Sequence, residues 1–119
     1  RNRYRRQAAG ELNKLDQARS DQHFASAVNQ LLRRAALQAS GTNAAALTGE
    51  SWHQYLCQSG GKTPPLDRAT FDQWQAVAYG ADAKLDRDAL LNFAKQWLKY
   101  HREPTEKNQR FATTNRSPG

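Results

Sequence analysis

The sequence has one cysteine and no methionine among its 119 residues. A single cysteine excludes an intramolecular disulfide and any zinc site that needs two or more thiolates. No run approaches the ~18 consecutive apolar residues of a membrane span, so no membrane span is predicted within this sequence. The missing methionine, with Arg1 at the start, leads us to expect a piece of a longer protein, from which a targeting or membrane segment could have been removed. The length predicts a single domain with one core.

Alternating runs of β-branched residues are also missing, which argues against a sheet. The apolar residues recur at helical spacing instead. Between residues 21 and 39 one stripe is formed by Phe24, Val28, Leu31, Leu32 and Ala35. Ser20 and Asp21 are candidate N-caps for this helix, and Ser40-Gly41 predicts its end. A weaker stripe, interrupted by Gly10, predicts a helix before it from Tyr4, Ala8, Leu12 and Leu15.

Three later helices share one start pattern. Thr48, Asp67 and Asp86 each stand where an N-cap side chain accepts a backbone N–H. Each is flanked by an apolar pair at N′ and N4, the hydrophobic staple. The pairs are Leu47 with Trp52, Leu66 with Phe71, and Leu85 with Leu90. The predicted helices cover about 49–58, 68–79 and 87–101.

The fold class predicted is therefore all-α, a small bundle of about five helices with a polar C-terminal tail. We divide the chain into a basic, membrane-proximal helix over 1–20, a helical core domain over 21–102, and a flexible tail over 103–119.

The positive charge lies at the two ends of the sequence. Residues 1–20 carry six cations and two anions, and residues 99–119 carry five cations and two anions. Residues 21–98 carry seven of each. A domain that binds duplex nucleic acid concentrates its cations on one face, and this distribution argues against such a domain. A basic cluster beside a membrane span is expected at a chain end.

Several residues could suggest chemistry, and each has a plainer interpretation. His53 and Cys57 share a helix face at i, i+4, but no third group orients them, so a half-buried thiol beside a surface histidine is favoured. Asp86 and Asp88 fit a helix start better than a pair of catalytic carboxylates. His23 and His101 have no metal-ligand spacing around them. We predict no catalytic residue, no bound cofactor and no metal site.

The aromatic residues offer two interpretations. They could form a stacking platform for single-stranded nucleic acid. Because most of them fall on the helical stripes, core packing is favoured. The residues concerned are Trp52, Tyr55, Phe71, Trp74, Phe93 and Trp97.

Arg33-Arg34 is the only pair of adjacent like charges in the neutral middle of the chain. It lies towards the C-terminal half of its predicted helix, where cations complement the helix dipole. Exposure to solvent is the default expectation. Contact with an acidic partner is the sharper hypothesis for Arg33 and Arg34.

Three segments of the sequence resemble a known family. They are Leu31-Leu32-Arg33-Arg34-Ala35-Ala36-Leu37, then Leu47-Thr48-Gly49-Glu50-Ser51-Trp52 with Tyr55-Leu56, and Phe93-Ala94-Lys95-Gln96-Trp97-Leu98-Lys99-Tyr100-His101-Arg102. In this order they are similar to a bacterial family of uncharacterised proteins anchored by one N-terminal span. Its members are found beside MoxR-type AAA+ ATPases and von Willebrand factor A-domain proteins, in Bat-like gene clusters. The resemblance covers roughly residues 1–102 and brings no catalytic residues with it.

The resemblance implies a membrane-anchored domain. Arg1, Arg3, Arg5 and Arg6 would flank the span, and the positive-inside tendency would place the domain on the cytoplasmic side of the bacterial inner membrane. We expect a non-enzymatic interaction or scaffold domain, with the ATPase and the von Willebrand A-domain proteins as implied partners. The alternative is a nucleic-acid-binding helical domain that uses its basic ends. A third hypothesis, an enzyme dependent on Cys57, predicts a thiol of unusual reactivity.

Overall fold

The computed structural model describes residues 2–15 and 20–102, and every structural statement below concerns that part of the chain. It contains α1 (Asn2–Leu15), α2 (Asp21–Ser40), α3 (Thr42–Ala45), α4 (Gly49–Ser59), α5 (Arg68–Ala78) and α6 (Arg87–Tyr100). No strand is present in these residues. The predicted all-α fold is confirmed, and the short α3 is the helix that the sequence patterns missed.

Most of the predicted helix boundaries rest on the expected caps. The Ser20 hydroxyl accepts the backbone N–H of His23 at 3.0 Å, and α2 ends at Gly41 with φ 90°. The carboxylates of Asp67 and Asp86 each accept a first-turn N–H at 3.0 Å. These bonds satisfy N–H groups that have no partner inside the helix, which is why the helices begin there.

Thr48 is the exception. It occupies the N-cap position of α4 in an extended conformation, but its side chain makes no capping hydrogen bond. The chain enters α4 through Gly49 at φ 55°, a left-handed conformation that glycine adopts without a Cβ penalty. The predicted hydroxyl cap at Thr48 is therefore wrong.

The core is a single cluster to which every helix contributes. At its centre are three tryptophans that are 0 % exposed: Trp52, Trp74 and Trp97. Each buried indole N–H has a partner: Asn29 Oδ1 at 3.1 Å, Ala25 O at 3.0 Å and Leu56 O at 3.1 Å, respectively. A buried N–H without a partner would cost free energy. The indole rings therefore fill the core, and their hydrogen bonds constrain how the helices meet.

Helix α1 shares this core. It packs against α2 and α6, and it buries Leu12 completely and Ala8 almost completely. The segment predicted as a basic membrane-proximal helix thus contributes apolar side chains to the same cluster as the helices after it. The predicted tail, 103–119, lies outside the described residues.

Candidate functional site

The junction of α1 with the end of α6 is built from polar side chains. His101, 1 % exposed, follows α6 and stacks on Trp97 with ring centroids 4.1 Å apart. Its Nδ1 donates to the Trp97 carbonyl oxygen at 2.8 Å, since a carbonyl can only accept. In the neutral ring, Nε2 then accepts the hydroxyl proton of Tyr4 at 3.0 Å. His101 therefore connects α1 to α6 through the core.

Arg5 completes this junction. Its guanidinium donates to the carbonyl oxygens of Lys99 at 2.9 Å and of His101. Carbonyl groups at the end of a helix have no partner inside it and carry the negative end of the helix dipole, so a guanidinium is well placed there. Arg5, predicted to be a membrane-proximal cation, thus caps α6 within the fold.

Beside this junction, α1 and α6 form an open groove of about 510 Å³, here called the α1–α6 groove. Its lining residues are Arg5, Arg6, Ala9, Asn13, Lys95, Leu98 and Lys99. Four of the seven are cations, and no carboxylate is among them. Arg6, Lys95 and Lys99 are exposed, whereas Arg5 is half-buried. The groove is therefore a cationic site open to solvent.

The groove collects charge from both ends of the chain. Helix α1 carries four cations and one anion, and residues 87–102 also carry four and one. Residues 20–86 carry five cations and six anions. Because α1 packs against α6, two basic segments that are distant in sequence become one basic region. The two basic ends, separate in the sequence, are therefore neighbours in the fold, and the expectation that this domain does not bind duplex nucleic acid stays a prediction.

The predicted basic residues have different surroundings. Arg3 and Arg6 are exposed, Arg5 is half-buried at the α6 terminus, and Arg1 lies outside the described residues. Lys95 and Lys99 were not singled out from the sequence. Lys95 and Lys99 lie at i, i+4 beside the apolar stripe of α6, and Arg5 and Ala9 have the same spacing in α1. This spacing is the sequence pattern that could have indicated the two lysines.

Arg33 and Arg34 both have partners within the fold. Arg33 donates to the carbonyl oxygens of Ala45 at 2.9 Å and Leu47 at 2.6 Å, and its guanidinium lies 4.3 Å from the Trp52 ring centroid. It therefore holds the connection between α3 and α4. Arg34 is exposed and pairs with Glu11 of α1 at 2.6 Å. Contact of either residue with an acidic partner stays a prediction.

His53 and Cys57 both face the Leu66 carbonyl oxygen. His53 Nε2 lies 2.6 Å from it and donates, and Cys57 Sγ lies 3.9 Å from it. The imidazole also stacks on Phe71, with ring centroids 4.6 Å apart. These contacts give His53 a packing role at the start of α5. The expectation of a half-buried thiol is confirmed for Cys57, but the expectation of a surface histidine is wrong, because His53 is half-buried against Phe71.

The other candidates also have structural surroundings. Asp86 caps α6 and Asp88 lies in its first turn, as the helix-start interpretation predicted. Of the predicted core aromatics, five are buried and Tyr55 is half-buried, which confirms core packing. Across residues 2–15 and 20–102, no three or more His, Cys, Asp or Glu side chains are grouped to hold a metal ion. No helix in this part of the chain is long and apolar enough to cross a bilayer.

The family model described as "Domain of unknown function (DUF4381)" matches residues 1–100, which includes both helices of the α1–α6 groove. No curated protein and no solved structure matches the chain.

Proposed function

Because the chain belongs to the DUF4381 family, a domain of unknown function, we propose a function from its own geometry: it is a non-enzymatic interaction domain that binds partner proteins. The observation that carries this proposal is the α1–α6 groove, an open cationic surface on a well-packed helical body. A concave surface that carries charge of one sign suits recognition of a macromolecule of the opposite charge, because complementary potentials favour and orient the encounter.

The proposal includes a membrane tether. The resemblance noted from the sequence implies a span before Arg1, and the exposed Arg3 and Arg6 then follow it directly. Cations beside a span favour the cytoplasmic side, so we place the domain on the cytoplasmic face of a bacterial inner membrane. A tethered domain raises the local concentration of a bound partner, which is the mechanism of a scaffold. A MoxR-type ATPase and von Willebrand A-domain proteins are the partners that the resemblance implies.

Affinity purification of the full-length protein tests this proposal. We expect mild crosslinking in cells to capture the ATPase or the A-domain proteins. A variant of the groove, Lys95→Glu with Lys99→Glu, is compared with Lys84→Glu, an exposed lysine outside the groove lining. If the unaltered protein captures none of these neighbours, the scaffold proposal is refuted.

Nucleic-acid binding is the second candidate, favoured by the meeting of the two basic segments at the groove. It predicts binding to DNA or RNA that weakens steeply as salt is raised, because counterions are released from the phosphates. Electrophoretic shifts at low salt measure this. No shift with single-stranded or duplex probes would remove the candidate.

A further inference from the structure

We propose that the α1–α6 groove binds an acidic peptide segment of a partner protein, with carboxylates seated between the cations of α1 and those of α6. This inference rests on the proposed function, since it names the surface and the chemistry through which the domain would recognise its partner.

The charges in the groove differ from those elsewhere on the fold. Outside it, three arginines pair with carboxylates: Arg34 with Glu11, Arg68 with Glu50 and Asp72, and Arg87 with Asp21. Within the described ranges, no carboxylate pairs with Arg6, Lys95 or Lys99. Like charges held close together repel one another, and an external anion relieves that repulsion.

Arg5 makes this surface persistent. Its bonds to the end of α6 fix the spacing of the two helices that carry the other three cations. The part-buried hydrogen bond between Tyr4 and His101 fixes the same spacing. An anion that enters the groove therefore meets cations whose backbone positions are already set, which reduces the loss of entropy on binding.

The shape favours a peptide over other anions. A bilayer surface is flat on the scale of this domain, whereas the site is a groove of about 510 Å³ between two helices. Single-stranded nucleic acid binds through stacking on aromatic rings, and none of the seven described residues that line the groove is aromatic. The methylene stems of Lys95 and Lys99, with Ala9, offer apolar contact to a side chain that carries a carboxylate at its end.

The spacing of the cations defines the ligand further. Lys95 and Lys99 are one helical turn apart, about 6 Å along α6. Carboxylates at i, i+4 of a helical peptide have the same separation, and those at i, i+2 of an extended peptide come close to it. A segment with acidic residues at either spacing can pair with both lysines at once.

The binding test uses the full chain and a short fluorescein-labelled helical peptide with a glutamate at every fourth position. The matched control peptide has glutamine at those positions. Fluorescence anisotropy at low salt is expected to show binding of the acidic peptide, at least about tenfold weaker binding of the glutamine peptide, and loss of binding at high salt.

Protein variants locate the site. Lys95→Glu is expected to weaken binding about fivefold, and the double change Lys95→Glu with Lys99→Glu at least about tenfold. Lys84→Glu alters the net charge as much as Lys95→Glu but should weaken binding less than about twofold. A peptide with lysine in place of glutamate should bind the double variant better than the unaltered protein, which a merely misfolded variant could not do. Lys95→Gln with Lys99→Gln provides a second pair if the glutamates disturb α6.

Several results would overturn the inference. In the binding assay these are no binding of the acidic peptide, equal loss with Lys84→Glu and Lys95→Glu, or stronger groove-dependent binding of anionic phospholipid vesicles or oligodeoxythymidine. Sedimentation that shows self-association lost in the double variant would assign the groove to a second copy of the chain and also overturn it. If natural partners co-purify equally well with the groove variant, this inference fails and the scaffold proposal survives. If no partner co-purifies with the unaltered protein, the scaffold proposal itself fails.

Discussion

Replacing Leu12 by alanine tests whether α1 belongs to the cooperative fold. Leu12 is 0 % exposed and lies in the core cluster, on the helix that packs against α2 and α6. Truncating a fully buried leucine removes its transfer free energy and leaves a cavity, together about 3 kcal/mol. We therefore expect the free energy of unfolding to fall by about 3 kcal/mol, and Tm to fall by about 12 °C for a domain of this size.

Urea unfolding measures this effect. Circular dichroism at 222 nm follows all the helices, while tryptophan fluorescence follows Trp52, Trp74 and Trp97 in the core. If α1 unfolds together with the rest, both signals shift to lower urea by the same amount and the slope m stays constant. Coincident transitions would show that α1 is held in the cooperative unit, as the α1–α6 groove requires.

The matched control is Asn13→Ala, next to Leu12 on an exposed position of α1. Alanine is the better helix former and nothing is removed from the core, so the free energy of unfolding should change by less than about 0.5 kcal/mol. If Leu12→Ala also changes it by less than about 0.5 kcal/mol, α1 is not part of the cooperative fold and our account of the groove is refuted.

Three further predictions concern caps, turns and ionisation. Ser20→Ala should destabilise the fold by about 1 kcal/mol in urea, because it removes the cap of α2, whereas Thr48→Ala should cost less than about 0.5 kcal/mol. Gly61→Ala should destabilise strongly, since Gly61 has φ 63° and an added Cβ would overlap the carbonyl oxygen of Tyr100. Burial raises the pKa of Tyr55 above its ordinary value of 10.0, so a phenolate signal at 295 nm should appear late in an alkaline titration. Because the folded pKa is the higher one, this group contributes stability that is present below pH 10.0 and lost as the pH rises through the folded pKa.

Each of these predictions has a control. Equal destabilisation by Ser20→Ala and Thr48→Ala would contradict the assignment of the caps. Gly41 also has a positive φ, 90°, but a Cβ added there would meet nothing within 4 Å. Gly41→Ala should therefore lower the free energy of unfolding by about 1–3 kcal/mol less than Gly61→Ala. Tyr55→Phe should remove the late phase of the titration, and its persistence would assign that phase to another tyrosine.

The local features of the fold could be predicted because they depend on residues close in sequence. A side chain such as Ser20 or Asp67 meets the N–H groups of the next turn whatever the rest of the chain does. Thr48 fails as a hydroxyl cap because the neighbouring Gly49 permits a left-handed entry that the cap pattern does not encode. The helix α3 was missed because four residues are too few to show a period.

The candidate site could not be predicted in the same way, because its residues come from opposite ends of the chain. From the sequence, Arg5 is one of several terminal cations, and nothing shows that it reaches the carbonyl groups that end α6. Arg33 is likewise an ordinary helix cation until α3 and α4 turn back and bring Ala45, Leu47 and Trp52 around its guanidinium.

The amino-acid sequence is enough to predict the all-α class, most of the helix boundaries and the stripes that form the core, since these follow from periodicity and local hydrogen bonding. It also shows that the positive charge lies at the two ends. Where those ends lie relative to each other depends on how the helices pack. Packing of α1 against α6 turns two distant basic segments into one groove, because electrostatic potential depends on separation in space and not along the chain.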